Sequence, residues 1–203
     1  KYYHDSINIL SNQGNVEEGN NLHYNQLKNY LLTHNLSNNN YYNYVSQKID
    51  IECFTDYFII QTFFDNYDNP YNFEFWSTLD ENTKWKWILY DLDAGFRDHK
   101  NNSIKYLLKE SKWVPPYFTL IPTSLFENKT FTNNFIGRYT ELLNTVFKSD
   151  SLLKIIEKYD NIYRPEIEEH INRWNYPKSL SAWDKTIDSL KTFATQRPCF
   201  IRS

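Results

Sequence analysis

The chain has 203 residues, with 25 acidic against 22 basic side chains and a formal net charge of −3, which leaves no electrostatic footprint for nucleic acid or an anionic membrane surface. Aromatic residues make up 18 % of it, as 17 Tyr, 14 Phe and 6 Trp, and burying part of those rings is enough to drive a core. The length suits one substantial domain, no stretch nears the ~20 apolar residues of a membrane span, and the lack of any Met marks a fragment or a processed chain.

Residues 1–21 are polar, and KYYHDSINIL promises at most a short strand or an ordered arm. Over 21–34, Leu22, Leu27, Tyr30 and Leu31 recur near helical spacing, which predicts an amphipathic helix. The stretch NNNYYNYVS that follows reads as a second short helix or a loop. Asp50 is placed to cap the next helix, with Glu52 favourable to its dipole. From 51 to 64 the apolar positions Ile51, Cys53, Phe54, Tyr57, Phe58, Ile60, Phe63 and Phe64 nearly encircle the axis, and a helix apolar on every side is a buried one.

That helix delivers a loop of acids and amides, Asp65, Asn66, Asp68, Asn69 and Asn72. Two aromatic-rich strands come next, the first holding Phe73, Phe75 and Trp76, the second Trp85, Trp87, Ile88, Leu89 and Tyr90, joined through the Asp80-Glu-Asn-Thr loop. A hairpin returns the chain to where it left, so Asp68 and Asn72 can face Asp91 and Asp93 across its mouth. Residues 97–130, interrupted by Pro115, Pro116 and Pro122, read as a long irregular excursion with one short helix near 104–110. Beyond it, 133–147 shows clear amphipathic spacing and Ser149 or Asp150 caps another helix. Pro165 should kink or restart that helix, and the last one, begun at Ser179 or Ser181, should end at Pro198. The fold class expected is mainly α (α+β), a single domain over 1–203 with one hairpin presenting acids.

Cys53 and Cys199 share no metal-type spacing and read as helix-borne apolar residues, with a long-range disulfide as the alternative. The five His show no metal or triad pairing; His99, the one nearest the acids in sequence, reads as a surface residue. Only four Gly are present and none forms a phosphate loop. Carboxylate and amide oxygens without Cys or His suit a hard cation, Mg²⁺ or Mn²⁺, better than zinc. In protein kinases a catalytic Asp, an Asn a few residues on, a hairpin and a metal-holding Asp occur in that order. Asp68, Asn72, the hairpin and Asp91 repeat the order, although neither HRD nor DFG is present.

Ile49-Asp50-Ile51, FTDYFIIQTFF, Asp68 with Asn72, WILYDLDAGF, FIGRYTELLNTVF and a final helix reaching Arg197 together resemble the CotH kinase family, named for spore coat protein H. The resemblance runs from about Ile49 onward. It implies the C-terminal lobe of a divergent protein-kinase fold, with the small N-terminal lobe absent or incomplete, using ATP and Mg²⁺ (or Mn²⁺) to phosphorylate protein hydroxyls. By position it implies Asp68 as catalytic Asp, Asn72 and Asp91 as cofactor-binding residues, and Asp91, Asn72 and Asp93 around the metal. The partners implied are a nucleotide and a protein substrate of the spore coat or cell surface. The chain departs from the family in having Tyr90 where Trp often precedes the first acid. Neither a nucleotide cover nor a phosphate-pairing lysine can be assigned. Two other classes stay open, a metal-dependent glycosyltransferase holding a nucleotide sugar at Asp-x-Asp and a non-catalytic coat or surface assembly module.

Overall fold

The computed structural model describes residues 7–80 and 82–203. Among them are four strands, nine α-helices and two single turns of 3-10 helix. The chain divides into two compact units, one of Lys1–Gly95 with Asn102–Arg138, the other of Phe96–Asn101 with Tyr139–Ser203.

The first unit opens with a hairpin, β1 (Ile7–Ser11) and β2 (Asn15–Glu18). Two helices follow, α1 (Leu22–Thr33) and α2 (Asn39–Ser46), so the NNNYYNYVS stretch is helical, with the Asn38 side chain accepting from the Asn40 N–H at 2.9 Å. Asp50 caps α3 (Ile51–Phe63) as expected, accepting from the Cys53 N–H at 3.1 Å. After a 3-10 turn over Asn69–Tyr71 come β3 (Glu74–Thr78) and β4 (Lys86–Ile88), then α4 (Ser103–Leu107) and α5 (Pro116–Phe126). The helix α6 (Lys129–Asn144) starts in this unit.

The strands form one antiparallel sheet in the order β2-β1-β3-β4. The short strand offered for KYYHDSINIL is therefore present as β1, and a second strand, β2, which was not expected, pairs with it; residues 1–6 lie outside the described ones. The apolar pattern of β1 is interrupted by a buried amide: Asn8 is fully buried, donating to Ser77 Oγ at 3.3 Å and accepting from the Asn20 N–H at 2.8 Å. The second strand of the central hairpin is shorter than predicted. Trp85 forms a bridge with Ile49, and Leu89 and Tyr90 have already left the sheet.

Aromatic packing fixes α3 between the sheet and the later helices. Phe54 meets Trp87 edge to face with centroids 4.8 Å apart, Trp87 stacks on Phe75 at 5.5 Å, and on another side Phe58 lies 6.1 Å from both Phe126 and Phe135. Cys53 is half-buried on α3, while Cys199 is exposed on the last helix; both thiols are free.

The segment 97–130 contains a helix that its prolines concealed. Pro116 occupies the first turn of α5, where no N–H is needed. Pro122 stays inside the helix because Phe118, Ile121 and Leu125 bury the same element, and that packing outweighs one lost backbone bond.

The second unit holds the end of α6, then α7 (Ser149–Tyr163), a 3-10 turn at Arg164–Glu166, α8 (Ile167–Trp174) and α9 (Leu180–Arg202). Pro165 restarts the helix as predicted, and Ser179 caps α9. Pro198 does not end α9. Its neighbour Arg197 is fully buried and donates to the carbonyls of His99 (3.0 Å) and Asn101 (2.7 Å), an anchorage that holds the helix in register past the proline.

Phe58 is 1 % exposed at the centre of the first unit's rings. Replacing it with Ala should cost about 3–5 kcal/mol of stability, read from urea unfolding followed by tryptophan fluorescence. A loss under ~1 kcal/mol would show that the ring cluster is not the core that positions α3.

Candidate functional site

The site is built at the C-terminal end of α3. The helix stops sharply because Asp65 takes a left-handed conformation (φ 54°) and the Asn66 N–H reaches back to the Gln61 carbonyl at 3.1 Å, a helix-ending bond that usually goes with glycine. Asp65 holds that position through its side chain, which accepts from Ser103 Oγ at 2.7 Å inside the protein. The turn over Asn69–Tyr71, entered through Pro70, then presents Asp68 and Asn72 on either side of it.

From the other direction, the Phe75–Trp87 and Trp76–Lys86 pairs bring the chain out of β4 toward the same place. Asp91 sits at φ 52°, a left-handed value uncommon for a residue with a Cβ and costing on the order of 1–3 kcal/mol. Its side chain accepts a hydrogen bond from Asn72 Nδ2, and Tyr90 Oη donates to Asn72 Oδ1 at 2.9 Å. Asp93 is hydrogen-bonded to Asp91, and this bond, followed by Asp91's charge, holds the Asp93 carboxyl above the usual carboxylate range; Asp68 adds to the effect. The Tyr90 hydroxyl is pushed up to about 12 by burial and then by the carboxylates of Glu74, Asp91, Glu17 and Asp68.

The four residues singled out in the sequence thus converge. Asn72 and Asp91 touch, Asp93 touches Asp91, and Asp68 lies within electrostatic reach of Asp93 and Tyr90. Three contributors were not given a role beforehand. Tyr90 orients the Asn72 carboxamide, Glu17 from β2 adds to the negative field, and Asn66 donates to the Asp91 carbonyl at 3.2 Å. The acid-and-amide loop included Asn66 and Asn69, yet both turn inward and are buried, Asn69 accepting from Tyr57 Oη. Only the position of Tyr90 beside Asp91 hinted at its place. His99 belongs to the second unit and is half-buried.

The carboxylates of Asp91 and Asp68 act on Asp93, and those of Glu74, Asp91, Glu17 and Asp68 on Tyr90, a negative field that a divalent ion would relieve. Among the described residues no group of three or more His, Cys, Asp or Glu could hold a metal alone. Two carboxylates and one amide fit Mg²⁺ or Mn²⁺ bound with water and phosphate oxygens, rather than a cage made wholly of protein. Asn72 Oδ1 has a second lone pair left after accepting from Tyr90.

Comparison with known proteins adds one finding. The family described as CotH kinase protein matches residues 4–201. The match takes in β1, β2 and the first two helices, well upstream of Ile49, so the likeness is not confined to a C-terminal part. No curated protein and no solved structure matches the chain.

Gly95 closes the acid-bearing loop against the end of α3. Its N–H bonds the Leu92 carbonyl at 3.0 Å, and a Cβ there would lie 3.0 Å from the carbonyl oxygens of both Leu92 and Phe64. Gly95→Ala should therefore displace backbone at the site, costing about 1–3 kcal/mol in thermal or urea unfolding. Parental stability in that variant would show that the loop is loosely seated.

Proposed function

The chain belongs to the CotH kinase family, and on that footing we propose that it transfers the γ-phosphoryl group of ATP to hydroxyl groups of a protein substrate, with Mg²⁺ or Mn²⁺ at the acid cluster. The observation that carries this reading is the side-chain bond between Asn72 and Asp91, which ties the loop after α3 to the end of the hairpin. Phosphoryl transfer needs chiefly positioning and charge stabilisation, and both can be supplied by a few rigidly held oxygens.

In this reading Asp91 and Asn72, with Asp93, hold the metal and through it the nucleotide. When bound, the ion neutralises charge on the phosphates. Asp68 is half-buried at the lip of the 3-10 turn, where it orients an incoming Ser, Thr or Tyr hydroxyl and accepts its proton. Tyr90 keeps the Asn72 carboxamide turned so that its N–H faces Asp91, and a hydroxyl held at about 12 stays a donor across the working pH range. A coat or cell-surface protein is the substrate class the family points to.

Asp68→Ala in the full chain should lower phosphoryl transfer from [γ-³²P]ATP by about 10²–10⁴-fold while leaving most nucleotide binding in place. Asp91→Ala should instead weaken the Mn²⁺-dependent part of ATP binding, followed by calorimetry. If both variants label protein as well as the parent does, the assignment of these residues is wrong.

A further inference from the structure

Beneath the acids lies a buried polar network that the proposed reaction does not use. Tyr57 and Gln61 stand one turn apart on the same side of α3, and both are buried. Gln61 hydrogen-bonds the Tyr57 hydroxyl, which in turn donates to Asn69 Oδ1. That use of the Gln61 amide nitrogen leaves its Oε1 free to accept, and Asn66 Nδ2 donates to it at 2.9 Å. The same Nδ2 group donates its second hydrogen to the backbone carbonyl of Asp91 at 3.2 Å.

The orientation of the Asn66 amide follows from its neighbours. Both groups it meets are acceptors, so the nitrogen must face them; reversing the amide would set oxygen against oxygen twice. The arrangement leaves Asn66 Oδ1 buried without a hydrogen-bond partner among the described residues, in a side chain of a residue only 2 % exposed. An unsatisfied buried oxygen is a cost that an apolar side chain would avoid. It is kept because two N–H donors are wanted at that point, and no other uncharged side chain of this length supplies both from one atom.

We propose that Asn66 is a positioning residue: by tying the Asp91 carbonyl to Gln61 of the buried helix, it holds Asp91 in its left-handed conformation with the carboxylate against Asn72. Asp91 is exposed, so burial of its side chain does not fix its backbone. If φ relaxed to a negative value the carboxylate would swing away from Asn72, and the two halves of the site would part. The clamp transmits the rigidity of α3 to a residue 25 positions further along the chain. Its consequence for metal and nucleotide rests on the reading of the acids given above, whereas its consequence for the Asn72–Asp91 bond does not.

The test uses the full chain in three variants. Asn66→Ala removes the donors, and Asn66→Asp removes them while keeping the size of the side chain. Asn128→Ala is the control, since Asn128 is also fully buried and donates to the Leu36 carbonyl at 2.8 Å and to Asn39. In the metal-free protein, proton exchange of the Asn72 side-chain amide is followed by NMR alongside the melting temperature. The bond to Asp91 should slow that exchange in the parent and in Asn128→Ala, and the protection should vanish in both Asn66 variants. Mn²⁺ titrated by electron paramagnetic resonance should bind the Asn66 variants about 10–100-fold more weakly than the parent. Unchanged Asn72 protection in the Asn66 variants overturns the proposal, as does equal loss in Asn128→Ala, which would reduce the effect to general destabilisation. Should one Asn66 variant not fold, the other decides by the same readout. If the parent binds no Mn²⁺ in a manner that Asp91→Ala abolishes, the metal reading fails, and the clamp is then judged on the Asn72 amide alone.

Discussion

The arrangement depends on the burial of α3. A helix with apolar residues on every side can be satisfied only by neighbours all round, and here the sheet, α5 and α6 provide them through Trp87, Phe126 and Phe135. Whatever leaves the end of such a helix leaves from a fixed point. The left-handed turn at Asp65 and the backbone bond from Asn66 to Gln61 make the departure abrupt, so Asp68 and Asn72 follow within one short turn. The hairpin is anchored to the same helix, since Trp87 packs on Phe54. One buried element therefore sets the position of both halves of the site, and side chains 19 residues apart, Asn72 and Asp91, meet without a long-range search.

The electrostatics work in the opposite direction to the packing. Burial and then the carboxylates of Glu74, Asp91, Glu17 and Asp68 push the Tyr90 hydroxyl up to about 12, and the hydrogen bond and charge of Asp91, with Asp68, hold the Asp93 carboxyl above its usual range. Proteins keep such clusters where the charge has a use. The Asn72 carboxamide, bonded on one side to Asp91 and on the other to Tyr90, links the two without adding charge. A sheet whose named strands pair antiparallel, with no βαβ unit among the described residues, gives no support to a nucleotide-sugar transferase of the α/β kind.

Much of this was legible in the residues because the strongest signals were local. The all-round apolar pattern of 51–64, the cap at Asp50 and the alternation of Phe75 and Trp87 each state one element, and the hairpin's return brings Asp91 back to Asn72 almost by geometry. The site's inner layer was not legible. Asn66 and Asn69 look like solvated loop amides, and only the tertiary position of Gln61 and Tyr57 turns them inward. Of the N-terminal strands, β1 was legible as a short strand whereas β2, polar and mostly exposed, was not, and α5 was missed since three prolines argue against any helix until burial is known. Pro198 misled for the same reason, as Arg197 holds α9 from a neighbouring loop.

The central claim is that the bend after α3 and the acids beyond β4 form one place where a divalent ion meets a nucleotide. Anomalous diffraction from crystals grown with Mn²⁺ and a non-hydrolysable ATP analogue tests it most directly. The account predicts a manganese peak about 2.1 Å from an Asp91 carboxylate oxygen, shared with phosphate oxygens and within reach of Asn72. A well-ordered nucleotide whose metal lies away from Asp91, or binds through other acids, would contradict it.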